Sequence, residues 1–159
     1  MEDPLRVYLH DHLAGSGFAI ELLETLANEF SGHETGILAT TILGEVRDDR
    51  RTLETIIDRI GRSHLDLKDA AAWFGEKVSR IKLRHDDPAG FGAFEALEAL
   101  GLGIIGKLAL WRALSRVAAN DVRLSGYDFE GLAGRAKAQF EKVEEYRLLL
   151  ASIALTVGE

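Results

Sequence analysis

Residues 42–60 read Ile42-Leu-Gly-Glu-Val-Arg-Asp-Asp-Arg-Arg-Thr-Leu-Glu-Thr-Ile-Ile-Asp-Arg-Ile60, and their apolar residues recur at alternating spacings of four and three. This spacing lines up one face of an α-helix into a continuous apolar seam. The seam positions are Ile42, Val46, Asp49, Leu53, Ile56 and Ile60. Asp49 therefore takes a position at which a helical bundle normally has an apolar residue.

The same spacing recurs over residues 9–30, 97–114 and 129–154, which predicts three further long helices. Helix boundaries are predicted from N-cap and C-cap residues. Starts are indicated by Asp3-Pro4, Asp87-Pro88 and Asp128, a break by the capping-box pattern Ser31-Gly-His-Glu34, and a stop by Gly61.

These signals predict an all-α protein with a single domain spanning residues 1–159. Four helices of about 25 residues are each close to 40 Å long, so their lengths match. The expected fold is an antiparallel up-down four-helix bundle. One additional shorter helix, at about residues 66–84, is predicted between the second and third long helices.

Composition and charge exclude several classes of protein. The chain has no cysteine, which rules out disulfides and thiolate chemistry. Its net charge of −7, with basic residues interleaved among acids, argues against nucleic-acid binding. No segment is apolar for long enough to cross a membrane. The acidic start Met1-Glu-Asp3 is unlike a signal peptide, so a cytoplasmic location is expected.

Charged residues occupy seam positions on three of the predicted helices. Asp49, Lys107 and Arg147 take such positions, Glu45 lies one turn before Asp49, and His12 lies beside the first seam. A buried charge without a partner costs several kcal/mol. Three interpretations are open: a salt-bridged network that fixes helix register, side chains that reach solvent at their tips, or a pocket for a ligand or metal.

A metal site is the least favoured of these interpretations. Di-iron and di-manganese bundles use Glu-x-x-His motifs, and none of the five histidines has a Glu three residues before it. The candidate carboxylate ligands for such a site are Glu45, Asp49, Glu98 and Glu144. The pattern Gly101-Leu-Gly-Ile-Ile-Gly106 lacks a preceding strand and is no nucleotide-binding loop. Its glycines instead suggest close helix approach, for example to the Gly15–Gly17 notch.

Several segments resemble an uncharacterised bacterial ferritin-like family: Tyr8-Leu-His-Asp-His-Leu-Ala-Gly15, residues 71–83, residues 103–114 and Arg135-Ala-Lys-Ala-Gln139. The resemblance implies a ferritin-like fold, but the family brings no known reaction. The resemblance does not imply a di-iron site, because the histidines of the superfamily's di-iron motif are missing here.

Three functions remain open at this point. The favoured one is a non-catalytic protein acting through its surface or as a homodimer, with Trp73 and Trp111 as interface candidates. The second is a degenerate di-metal enzyme or oxidant-handling protein. The third is a binder of a small anion, in which Lys107 or Arg147 grips a carboxylate or phosphate and the bundle has a cavity.

Overall fold

The computed structural model describes residues 1–61 and 87–157, and within these ranges the protein is all-helical. Four long helices are present there: α1 (Pro4–Glu29), α2 (Glu34–Ile60), α3 (Phe91–Ala118) and α4 (Phe129–Ala154). A one-turn 3₁₀ helix, Val122–Leu124, lies in the link between α3 and α4. The short helix predicted at about 66–84 falls outside the described residues.

Three predicted helix boundaries are confirmed. Asp3 caps α1 by accepting the Leu5 amide hydrogen at 3.0 Å, and Pro4 is the first helical residue. Asp128 caps α4 by accepting the Gly131 amide hydrogen at 2.9 Å. Gly61 ends α2 with φ of 102°, a left-handed value that glycine adopts readily.

Two predicted helix starts are wrong, each for a local reason. Ser31 does not cap α2, because Gly32 has φ of 83° and cannot form the first helical residue; His33 is the N-cap instead. Asp87 does not cap α3, because its carboxylate accepts the Ala89 amide hydrogen in the preceding turn. The N-cap of α3 is Gly90.

Contacts near the helix ends give the directions of the two hairpins. The Arg6 guanidinium at the start of α1 donates to the carbonyl of Ile60 at the end of α2, at 3.2 Å. Trp111, late in α3, stacks on Phe129 at the start of α4 with ring centroids 6.2 Å apart. Both hairpins, α1–α2 and α3–α4, are therefore antiparallel.

Helices α2 and α3 run in the same direction. Near their starts, the Thr35 hydroxyl donates to the carbonyl of Pro88 at 2.7 Å. Further along, Asp49 of α2 contacts Lys107 of α3 at 2.6 Å. The expected strict up-and-down order therefore does not hold between α2 and α3. The 25 residues 62–86 that separate them in sequence have ample reach for a connection across the bundle.

The core has two apolar clusters, one toward each end of the bundle. One cluster contains Leu23, Ile42 and Leu97, and the other contains Leu9, Ile56 and Trp111. In the described ranges, no helix combines the length and the apolar character needed to cross a membrane. The boundary between the two clusters is where the buried charges lie.

Candidate functional site

Asp49 lies in the middle of α2 with only 2 % of its surface exposed. One carboxylate oxygen, Oδ2, accepts a hydrogen bond from Lys107 Nζ at 2.6 Å and one from Gln139 Nε2 at 3.3 Å. The other oxygen, Oδ1, accepts from the guanidinium of Arg135. We call Asp49, Lys107, Arg135 and Gln139 the central polar network.

The central polar network forms a layer between the two apolar clusters. On α2, Val46 belongs to one cluster and Leu53 to the other, with Asp49 between them. Gln139 is fully buried, and its amide oxygen accepts a hydrogen bond from Lys107 Nζ while its amide nitrogen donates to Asp49. The layer joins α2, α3 and α4 in one register, because each of these helices supplies at least one member.

The charges of the network do not cancel. Two cations, Lys107 and Arg135, share the single carboxylate of Asp49, which leaves one surplus positive charge. Burial lowers the pKa of Lys107, and the nearby carboxylates of Asp49 and, more weakly, Glu45 oppose part of that lowering. Arg135 is more than one-third exposed, so the more deeply placed cation is Lys107.

Three of the five predicted site residues lie outside the network: His12, which lines the cleft described below, Arg147 and Glu45. The guanidinium of Arg147 pairs with Glu144 at 2.7 Å and Glu98 at 3.0 Å, and it lies over the ring of Phe94. Glu45 pairs with Lys142 at 3.7 Å. Arg147 and Glu45 therefore belong to ion pairs outside the layer around Asp49, although the Glu45 carboxylate still acts on Lys107 through space.

The candidate metal ligands are not brought together. Glu98 and Glu144 both bind Arg147, Glu45 faces Lys142, and Asp49 is held by Lys107 and Arg135. Each of these carboxylates is thus paired with a Lys or Arg side chain. A metal ion would instead need several of the carboxylates to converge on one point. Across residues 1–61 and 87–157, no three histidine, aspartate or glutamate side chains form a group suited to a metal ion.

Arg135 and Gln139 were not singled out as site residues in the sequence. They are spaced i, i+4 on α4 and lie one position before the seam residues Ala136 and Phe140. A buried glutamine beside a seam is hard to distinguish from a solvated one by spacing alone. A signal was nevertheless present, since both residues belong to the segment Arg135-Ala-Lys-Ala-Gln139 that carries the ferritin-like resemblance.

A cleft of about 580 Å³ opens between α1 and α3, with α2 as its floor. Three of the predicted site residues, His12, Asp49 and Lys107, line it. Its other lining residues are mostly apolar or small: Asp11, Gly15, Ser16, Phe18, Ala19, Val46, Arg50, Leu53, Ala99, Leu102, Gly103, Ile104, Gly106, Leu110 and Trp111.

Glycines on α3 leave room for the cleft instead of permitting a close helix contact. A Cβ atom built on Gly103 or Gly106 meets nothing within 4 Å, and both residues line the cleft. Gly101 does face a neighbour, but this is Phe140 of α4 at an ordinary contact distance of 3.5 Å. The expected approach of these glycines to the α1 notch is therefore not found at Gly103 and Gly106.

Trp111 is not a surface residue, contrary to its proposed place in an interface. Only 1 % of it is exposed, and it packs in the cluster that contains Leu9. The hydrophobic spacing of α3 placed Trp111 on the seam, which is consistent with this burial. Trp73, the other interface candidate, lies outside the described residues.

His12 lines the cleft, and its surroundings make the stability of the protein depend on pH. Its ring packs edge-on against Tyr8 with centroids 4.7 Å apart, and burial lowers its pKa despite the nearby Asp11 carboxylate. The unfolded chain, with a histidine pKa of about 6.5, then binds more protons than the folded chain below that pH. The stability contributed by neutral His12 is complete above pH 6.5 and is lost as the pH falls toward the folded-state pKa.

We expect wild-type protein to lose more stability than His12→Gln between pH 7 and pH 5, measured by urea unfolding at each pH. His33→Gln is the matched control, because His33 is exposed at the start of α2. Equal pH slopes for wild type and His12→Gln would contradict the placement of His12.

Comparisons with known proteins found no match to this chain among family models, curated proteins or solved structures. Its function therefore has to be argued from its own geometry.

Proposed function

We propose that this protein is a ferritin-like bundle that binds a small amphipathic molecule with an anionic group in the cleft between α1 and α3. The observation that carries the proposal is that an apolar cleft ends on a buried polar network with a surplus positive charge. Binding is proposed rather than catalysis, because the Lys107 ammonium is already engaged by Asp49 and Gln139.

The helix directions support a ferritin-like arrangement. Two antiparallel hairpins whose inner helices, α2 and α3, run in parallel require one long crossover connection. Among four-helix bundles, a single crossover is characteristic of ferritin-like folds, whereas simple up-down bundles have none. The connectivity of the helices thus favours a ferritin-like fold whether or not the protein binds a metal.

The size and walls of the cleft suit the apolar part of such a ligand. Its volume of about 580 Å³ lies within the range of small-molecule sites. Phe18 and Ala19 of α1 and Ala99 and Leu110 of α3 all line it, and most of the lining is hydrocarbon. Transfer of apolar ligand surface from water into this cleft is the expected source of affinity.

The polar floor suits an anionic group. Lys107 and Asp49 both line the cleft, and the Asp49 carboxylate is shared between Lys107 and Arg135, which lies outside the cleft. Arg50 also lines the cleft and donates to Ser16 at 3.1 Å and Glu54 at 3.0 Å. A carboxylate or phosphate near Lys107 would balance the surplus charge in a site where water screens poorly.

Trp111 borders the cleft near its floor. Its indole nitrogen has no hydrogen-bond acceptor in the part of the chain that the structure describes. Buried indole N–H groups usually find an acceptor. Because this nitrogen is itself buried, a ligand in the cleft would contact the ring of Trp111 rather than its N–H group, and the fluorescence of a Trp73→Phe variant would report that contact.

A matched ligand series tests the proposal. Decanoate, decanol and decylamine share an alkyl chain and differ in the charge of the head group. We expect decanoate to bind at least about tenfold more tightly than decylamine, with decanol between them, in isothermal titration calorimetry. Lys107→Met should reduce the preference for decanoate over decanol.

A second variant tests the position of the site. Gly106→Leu should fill the cleft and weaken decanoate binding at least about tenfold, since nothing lies within 4 Å of the added Cβ. Gly44→Leu is the control, because Gly44 has equally open space but lies outside the cleft. Absence of decanoate binding, or equal weakening by both glycine variants, would overturn the proposal.

A further inference from the structure

The outward face of α3 is apolar in its middle. Eight exposed residues follow one another on it at spacings of four and three, and we call them the α3 outer stripe: Phe91, Glu95, Glu98, Leu102, Ile105, Ala109, Arg112 and Arg116. Leu102 is 70 % exposed and Ile105 is 42 % exposed. Solvated helix faces are normally polar, so this central segment resembles an uncovered contact surface.

The charges of the stripe are segregated by sign. Two acids, Glu95 and Glu98, precede the apolar centre, and two bases, Arg112 and Arg116, follow it. The arrangement is nearly symmetric about Ile105: Glu98 lies seven residues before it and Arg112 seven residues after it. At 1.5 Å per residue, each of these charges is about 10 Å from the centre.

We infer that the α3 outer stripe is the interface of a homodimer in which two copies of α3 pack antiparallel about a twofold axis at Ile105. In a twofold interface, one patch must be complementary to itself. Antiparallel packing sets Glu95 and Glu98 of one copy against Arg116 and Arg112 of the other. Leu102 of each copy then faces Ala109 of its partner, and the two Ile105 side chains meet.

The alternative direction of packing is disfavoured by the same charges. Parallel copies would place acids against acids and bases against bases, which is repulsive. Glu95, Arg112 and Arg116 have no ion-pair partner among residues 1–61 and 87–157. Glu98 contacts Arg147 at 3.0 Å but keeps more than half of its side chain exposed. The charges of the stripe are therefore available to a second copy.

Small residues beside the stripe favour close packing of the two helices. Gly103 and Gly106 flank Leu102 and Ile105, and a Cβ at either position meets nothing within 4 Å. Helix axes approach most closely where the side chains between them are small. Leu102 also lines the cleft, so Ile105, which does not, is the better residue to mutate.

Sedimentation equilibrium of the purified protein, from micromolar to millimolar concentration, tests the interface. The wild type should dimerise, and Ile105→Glu should weaken the dimer at least about 100-fold, because it places two carboxylates at the axis. Leu149→Glu is the control, since Leu149 is also exposed but lies on α4. Circular dichroism should show that both variants remain folded.

Charge reversal tests the antiparallel direction. Glu95→Arg and Arg116→Glu should each weaken the dimer about tenfold, and the double variant should restore it. A monomeric wild type, an unaffected Ile105→Glu dimer, or a double variant weaker than both single variants would overturn the inference. These readouts do not depend on ligand binding, so the proposed function and this interface can fail separately.

Discussion

Replacing Asp49 by alanine is expected to lower the free energy of unfolding by about 3 kcal/mol. The substitution removes the only carboxylate in the central polar network and leaves Lys107 with a single partner, Gln139. Lys107 has only 15 % of its side chain exposed, so water cannot replace the lost contact fully. Urea unfolding followed by circular dichroism measures the change.

Asp48→Ala is the matched control for that measurement. Asp48 is the preceding residue on α2, and it pairs with Arg51 on the helix surface, where half of its side chain is exposed. Exposed pairs of this kind contribute about 0.5 kcal/mol or less. The double variant Asp49→Ala/Lys107→Met should be less destabilised than Asp49→Ala, because no unpaired ammonium remains at position 107.

An Asp49→Ala effect below about 0.5 kcal/mol would mean that this carboxylate is solvated and that the network does not stabilise the fold. An effect of the full size that Lys107→Met does not relieve would point to lost packing instead of an uncompensated charge.

Gly36→Ala is expected to destabilise the protein by about 3 kcal/mol, although alanine is the better helix former. Gly36 lies in the first turn of α2, against the end of α1. An added Cβ would lie 2.1 Å from the carbonyl oxygen of Phe30 and 2.6 Å from its carbon. These are backbone atoms, so relief of the clash requires the turn between α1 and α2 to move.

Gly44→Ala separates this clash from the general effect of glycine in a helix. Gly44 is also in α2, and a Cβ there meets nothing within 4 Å. The alanine variant should therefore be more stable than the wild type by up to about 1 kcal/mol. If thermal and urea unfolding showed both variants to be stabilised, the close packing of Gly36 on Phe30 would be wrong.

The helices could be predicted from sequence because the signals for them are local. Apolar spacing identified the seam of α2, and Asp3 and Asp128 marked two of the helix starts. An Asp before a Pro can cap either a helix or a turn, so its position alone is less informative. Asp87 caps a turn, although a helix start was expected there. The shared direction of α2 and α3 was missed because a long connection leaves direction undetermined.

The candidate site was only partly predictable. Asp49 and Lys107 stood out because a charge at a seam position breaks the apolar pattern. Arg147 broke the pattern in the same way, yet it turns to Glu144 and Glu98 at the edge of the bundle. Spacing fixes which face of a helix a residue occupies, but not which residue of another helix lies opposite.

A pocket was one of the open interpretations of the sequence, but its position could not be predicted, since the cleft lies where α1 and α3 are locally separated. Glycines at a helix interface usually indicate close approach, but Gly103 and Gly106 border open volume. A glycine has no side chain, so the space it leaves can be filled by a neighbouring helix or can remain open as part of a cleft. The sequence does not distinguish these two outcomes. Only the packing of α1 against α2, and of α3 against α4, decides where the space is left.

The division into two hairpins has a consequence for the order of folding. Among the described residues, most contacts between helices lie within α1–α2 or within α3–α4, so they join residues closer along the chain than contacts between the hairpins do, and such contacts form earlier. Asp49 belongs to the first hairpin, whereas Lys107, Arg135 and Gln139 belong to the second. Lys107 and Gln139 can pair within the second hairpin, but the Asp49 carboxylate gains its partners only when the hairpins dock, so docking and desolvation of this carboxylate coincide. We expect docking of the hairpins to be the rate-limiting step of folding. We also expect the buried Asp49 carboxylate to select the native alignment of the two hairpins, because only that alignment gives it its partners.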